Sequence, residues 1–145
     1  ELLNQDTPII ESHPVFEIMS GIENSSAHTY LESTMLEAGL SIPIVHDKYS
    51  YCHGRSTTSY HNNHSLIYFD KDTELDKLML EELKEYYNKI VILKSKYKDP
   101  IIDDYYLTIR SMLLTKSLAE QTGKDLSKVE YSPVVKKLYK YQGQM

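Results

Sequence analysis

An α/β fold with parallel strands is predicted by three features of this sequence. Helical and strand-like segments alternate in the order helix, strand, helix, strand, helix, as they do where crossover helices link parallel strands. The runs Ser65-Leu66-Ile67-Tyr68-Phe69 and Lys89-Ile90-Val91-Ile92-Leu93 are short and almost continuously apolar, the signature of strands covered on both faces. The chain has 145 residues, which suits one domain with a single layered core.

Taken in order, residues 1–14 carry Pro8 and Pro14 around Ile9 and Ile10, which favours an extended or loop segment over a helix. Val15-Phe16-Glu17-Ile18-Met19 reads as a short strand or a helical turn, and residues 1–20 together form a poorly defined lead segment. From Ser25 or Ser26, the residues Ala27, Tyr30, Leu31, Met35 and Ala38 recur at helical spacing, and Gly39 supplies a left-handed stop. Thr29 to Glu32 offers a capping box for a later start. Ile42-Pro43-Ile44-Val45-His46 is a short strand whose proline is tolerated near its start or on an edge.

After the polar stretch 51–64 and the strand at 65–69, Asp72 or Thr73 caps a helix that Asn88 ends. Leu75, Leu78, Met79, Leu83 and Tyr86 mark its apolar face. The strand at 89–93 follows, and Pro100 with Asp103 and Asp104 opens a long helix that ends at Gly123. Tyr106, Ile109, Met112 and Leu113 are its predicted inward positions. Beyond it lies a tail, 124–145, broken by Pro133 and continuing as the amphipathic run Val134 to Tyr139. Three strands are firm, which is few for a doubly wound sheet in a chain of this length.

Composition narrows the function classes. Apolar residues make up 41% and charged residues 26%, enough to fold. The net charge of −5 argues against a general nucleic-acid binder, because phosphate binding needs a basic surface. Thirteen tyrosines with no tryptophan, several at helical spacing with leucines, point to core and subunit contacts. One cysteine excludes an internal disulfide and fits a reducing compartment. No run approaches the ~20 apolar residues of a membrane span, and the start lacks the basic flank of a signal peptide. A cytoplasmic chain without membrane contact is expected.

The densest chemistry lies in Tyr51-Cys52-His53-Gly54-Arg55 and the Ser56, Thr57, Thr58, Ser59 run that follows. Gly54 frees the backbone beside His53, and Arg55 brings a fork that matches phosphate or carboxylate. Ser56 to Ser59 supply hydroxyls for an anion or cap a short helix. Cys52, His53, His61 and His64 invite a zinc reading, but a lone half-site with one cysteine is a poor zinc cage, so no metal and no cofactor is expected. A metal-dependent hydrolase using His53, His61 and His64 is accordingly the least favoured class. Glu37 is the most suggestive carboxylate: in the last turn of its helix it faces the negative end of the helix dipole, which favours its protonated form and suits a general acid or base. An exposed glutamate without a role is the commoner use of such a position.

The segments Leu31-Glu32-Ser33-Thr34-Met35-Leu36-Glu37-Ala38-Gly39, Ile44-Val45-His46-Asp47 and Tyr51-Cys52-His53-Gly54-Arg55 together resemble the C-terminal half of a sugar isomerase (SIS) domain. The resemblance covers about residues 28–140, and the tail with Pro133, Val135, Leu138 and Tyr139 resembles the ending of members that carry His-Gly-Arg. It implies a three-layer αβα fold with a flavodoxin-like parallel sheet and a phosphorylated sugar as ligand. Glu37 matches the glutamate that moves a proton between C1 and C2 of the open-chain sugar, and His53 the histidine that assists ring opening, often in a neighbouring subunit's site. Glu32 is then a structural or substrate-contacting partner, and Arg55, Ser56 and Thr57, from their own chemistry, are the further candidate substrate contacts. The catalytic lysine of some members is not matched, since Leu36 precedes Glu37, and the Ser-x-Ser-x-x-Thr phosphate loop is absent. The shortage of strands and the start at Glu1 rather than methionine are then explained together if 1–145 is part of a longer SIS protein. Its partners are a sugar phosphate and either another copy or the preceding part of the domain. A sensing or dimerisation module without catalysis is the alternative.

Overall fold

Four strands form one wholly parallel sheet in the computed structural model, which describes residues 15–60, 64–87, 89–128 and 131–142. The order along the chain is β1 (Val15–Ser20), a 3-10 turn (Ile22–Asn24), α1 (Ser25–Glu37), β2 (Ile42–Asp47) and α2 (Ser56–Tyr60). It continues with β3 (Ser65–Asp70), α3 (Glu74–Leu83), β4 (Lys89–Lys94), α4 (Pro100–Thr122) and α5 (Pro133–Gln142). Across the sheet the strands run β2-β1-β3-β4, with Val15 beside Ile42 and Phe16 beside Ser65. The segment left undecided by its sequence is therefore an inner strand. Its presence removes the strand shortage, and the predicted α/β architecture holds.

The strand order reverses after β1, and that reversal puts the helices on opposite faces. Right-handed crossovers that step outward in opposite directions must leave the sheet on opposite sides. On one face Phe16, Ile18, Ile67, Phe69, Val91 and Leu93 meet α1 and α4 through Ala27, Leu31, Met35, Leu107, Leu114 and Leu118. On the other, Met19, Leu66 and Tyr68 meet Met79 and Leu83 of α3, with Tyr51 and Tyr87 beside them. The result is three layers.

Two helices turn other faces inward than their periodicity suggested. In α4 the buried stripe is Asp103, Leu107, Ser111, Leu114, Thr115 and Leu118, whereas Ile109 and Met112 are exposed and Tyr106 and Leu113 half-buried. One carboxylate, Asp103, and two hydroxyls, Ser111 and Thr115, belong to the core stripe, and a hydrophobicity pattern reads such positions as solvent-facing. In α3, Met79 and Leu83 are buried as predicted, but Leu78 is 59% exposed and Tyr86 37% exposed. The helix also stops at Leu83, and Asn88 lies outside the described residues.

Helix ends explain why α1 and α4 belong together. The Asp104 carboxylate of α4 accepts from Ser26 N at 3.3 Å and Ala27 N at 3.1 Å, the free amides at the start of α1. At the other end Lys124, just past α4, donates its ammonium to the carbonyls of Ala38 and Gly39. Acid at the positive end and base at the negative end both complement the α1 dipole. Each helix closes in the same way: Leu40 N bonds Met35 O and Lys124 N bonds Ala119 O, across Gly39 and Gly123. Gly123 has φ of 68°, a left-handed value that a side chain resists.

Buried charges tie the loops to the sheet. Lys48, 4% exposed, reaches Asp76 at 2.6 Å, and Tyr68 donates to the same oxygen at 2.8 Å. Asp76 also closes a capping box with Thr73, the second of the two caps the sequence offered for this helix. Asp103 takes Lys71 and Ser95 at 2.6 Å each and the amides of Lys96 and Tyr97. Burial would raise both carboxyls, but these donors outweigh it and hold each at about 2.

Candidate functional site

The polar stretch after β2 is anchored to a carboxylate that no sequence motif singles out. Glu17, in the middle of β1, is 1% exposed. Its Oε2 accepts from Ser59 Oγ at 2.5 Å, Tyr87 OH at 2.7 Å and His46 Nε2 at 2.8 Å, and its Oε1 from His64 Nδ1 at 2.7 Å. Tyr51 OH in turn donates to Tyr87 OH at 2.9 Å. Desolvation alone would push this carboxyl up, but the four donors together hold it at about 2. Tyr87 is driven the other way, well above the usual phenol range, chiefly by burial. Glu17 is thus an anion fixed by its donors.

That anion positions the loop bearing the predicted site residues. Tyr51 and Ser59 are buried against the Glu17 network, while Cys52, His53, Gly54, Arg55 and Thr57 between them are exposed. Within the loop His53 N bonds Ser50 O, Ser56 N bonds Tyr51 O, and Gly54 takes φ of 101°, so the glycine is required by the turn. Arg55 lies across β2, with Nη1 at 3.5 Å from the carbonyl of Val45. Ser56 opens α2, a single turn and a half. Ser59, read as a cap or an anion ligand, instead serves Glu17.

Glu37 occupies the opposite environment. As the last residue of α1 it is exposed and lines a cleft of about 740 Å³ with Leu36, Gly39, Lys124, Lys128, Tyr131 and Ser132. Sequence spacing could not supply the two lysines, because they come from the segment after α4. Lys128 lies 3.4 Å from Asp125 and both are substantially exposed, so its charge is held loosely. Ser56 and Thr57 line a different hollow, a groove of about 560 Å³ beside α3. His53 and Arg55 line neither. Glu32 is half-buried on α1, near enough to His28 to favour its charged form, although burial dominates and keeps that imidazole below its ordinary value. The predicted residues therefore divide between the two ends of β2 within one chain.

No cluster of three or more histidine, cysteine or carboxylate side chains suited to a metal ion occurs among the described residues. His61 lies outside them, and His64 is committed to Glu17. No helix among the described residues is long and apolar enough to cross a membrane.

No protein-family model matches the chain, and no curated protein matches it either. Solved structures do. A crystal structure of a "putative phosphosugar isomerase" from Salmonella typhimurium LT2 superposes with a TM-score of 0.64 at 15% identity, covering 83% of this chain and 41% of that one. A second protein of the same description from Bacillus subtilis gives 0.63 at 19% identity, with 83% and 40% covered. The chain shares their fold. It spans about two fifths of the length of each, and at these identities the likeness speaks for architecture alone.

Proposed function

We propose that this chain is an SIS-type domain that binds a phosphorylated sugar and supplies Glu37 as the proton-transfer base of an aldose–ketose isomerisation. The observation that carries this is the placement of Glu37: an exposed carboxylate in an open cleft with Lys124, Lys128, Tyr131 and Ser132, on a fold shared with two proteins described as phosphosugar isomerases. A carboxylate there removes the C2 proton of the open-chain sugar and returns it to C1, while nearby ammonium groups favour the enediolate oxygen. Lys128 provides such a charge from another element, where the sequence around Glu37 has none. His53, exposed on its loop away from this cleft, assists ring opening in the site of a neighbouring copy, or in one completed by further chain. Arg55 and Glu32 act as substrate contacts in that same arrangement, whereas Ser56 and Thr57, first read as contacts too, line the separate groove beside α3.

The test uses the complete protein with fructose 6-phosphate and glucose 6-phosphate as probes, following exchange of the C1 proton of the ketose and the C2 proton of the aldose in deuterated water. Glu37→Gln is expected to lower exchange at least a hundredfold, within the range of general-base catalysis, while sugar-phosphate binding persists. Undiminished exchange in that variant refutes Glu37 as the base. Saturable binding without exchange in the unaltered protein favours the second reading, a sensing or dimerisation module. The division of Glu37 and His53 between separate surfaces supports that alternative.

A further inference from the structure

Helix α5 presents an amphipathic surface with an unusual charge. Val134, Leu138 and Val135 lie along one side, and Lys136, Lys137 and Lys140 along the other, with no acidic residue between Pro133 and Gln142. Val134 is 65% and Leu138 58% exposed, so most of the apolar side has no cover. None of the three lysines has a carboxylate partner among the described residues. In a chain of net charge −5, a ten-residue basic amphipathic helix is a local inversion of sign.

The opposite surface occurs on the far layer of the same molecule. The groove of about 560 Å³ between α2 and α3 is walled by Leu75, Leu78, Met79, Leu83, Tyr60 and Tyr86. Leu78 and Tyr60 stand 59% and 65% exposed beside it. Its rim is acidic. Glu74 and Glu81 are paired within α3 to Lys77 and Lys84, but Glu82, which lines the groove, and Glu85 have no basic partner among the described residues. An apolar channel bordered by the unpaired carboxylate of Glu82, with Glu85 three residues further along the chain, is complementary to an apolar stripe bordered by unpaired lysines, the geometry of helix-in-groove recognition.

We propose that the α2/α3 groove of one copy receives α5 of a second copy. Leu138 and Val134 enter the channel while Lys136, Lys137 and Lys140 meet Glu82 and Glu85 at its edge. A second copy is favoured over an unrelated partner because each molecule carries both halves of the contact, with apolar character and charge matched. A helix of this size, ~15 Å long, makes a small contact, so the association belongs to the weak, salt-sensitive class. Cys52 borders the groove and is exposed, which places a thiol within the docking surface.

Sedimentation of the purified chain against concentration tests this directly. The mass is expected to rise above that of one chain at low ionic strength and to fall back in about 0.5 M salt. Lys136→Glu with Lys137→Glu should weaken association at least tenfold, as should Glu82→Lys with Glu85→Lys. The chain carrying all four reversals should recover it. Circular dichroism of each variant, unchanged from the parent, confirms folding. As a covalent readout, Leu138→Cys should form a disulfide with Cys52 between two chains under mild oxidation, and Cys52→Ser should abolish it. A chain that stays single at all concentrations, association indifferent to the reversals, or a Cys52 disulfide formed only within one chain each overturns the proposal. Because none of these measurements uses a sugar phosphate, failure here leaves the isomerase assignment to its own test.

Discussion

Replacing Glu17 by glutamine is the sharpest probe of how the loop is held. The carboxylate accepts four hydrogen bonds from residues between 29 and 70 positions away. A carboxyl held at about 2 instead of 4.5 is worth ~3 kcal/mol of folding stability when ionised, at ~1.4 kcal/mol per tenfold change in proton affinity. Because the folded value is depressed, that stability is fully present above about 4.5 and is lost as pH falls through about 2. Glutamine keeps the shape but offers one acceptor oxygen, and its amide hydrogens point at groups that had been donating. At neutral pH Glu17→Gln should therefore lose ~3 kcal/mol in urea unfolding followed by circular dichroism. Its stability should also fall less steeply than the parent's between pH 4.5 and 2. Amide exchange in residues 50–59 should accelerate, since Tyr51 and Ser59 lose their common anchor. A variant within ~0.5 kcal/mol of the parent, or one with the same acid dependence, would refute the reasoning.

Lys48→Met leaves the buried Asp76 without its cation and should cost ~3–5 kcal/mol at neutral pH; the double variant with Asp76→Leu should recover part of it, read in the same unfolding assay. Asp104→Ala removes the acceptor for two amides of α1 and should cost ~1 kcal/mol, with faster exchange confined to the first turn of that helix.

The alternation of apolar runs, the cap at Thr73, the start at Pro100 and the stop at Gly123 made most of the fold legible, because those signals are local: the β3 and β4 runs and the bounds of α4 correspond closely to the structure. β1 was ambiguous for a physical reason. A glutamate in a strand covered on both faces breaks the apolar run, and its burial makes sense only beside His46, Ser59, His64 and Tyr87, which no window of sequence contains together. The inward face of α4 was misjudged similarly, since Asp103 is buried through donors from the loop after β4. At the candidate site, the position of Glu37 at the end of α1 was legible from the helical spacing and Gly39. The lysines opposite it were not, because the contact spans more than eighty residues of chain.

That span sets an order of events during synthesis. The amides opening α1 wait for an acceptor 77 and 78 residues downstream, and the carbonyls closing it wait for a donor 85 and 86 residues away. At about 5–20 residues per second, the helix that carries Glu37 emerges several seconds before either end has its partner. Through that interval it has neither its final caps nor the α4 surface that covers Ala27, Leu31 and Met35. The cleft around Glu37 consequently takes shape only after α4 has emerged, since its walls come from the end of α1 and from the segment that follows α4.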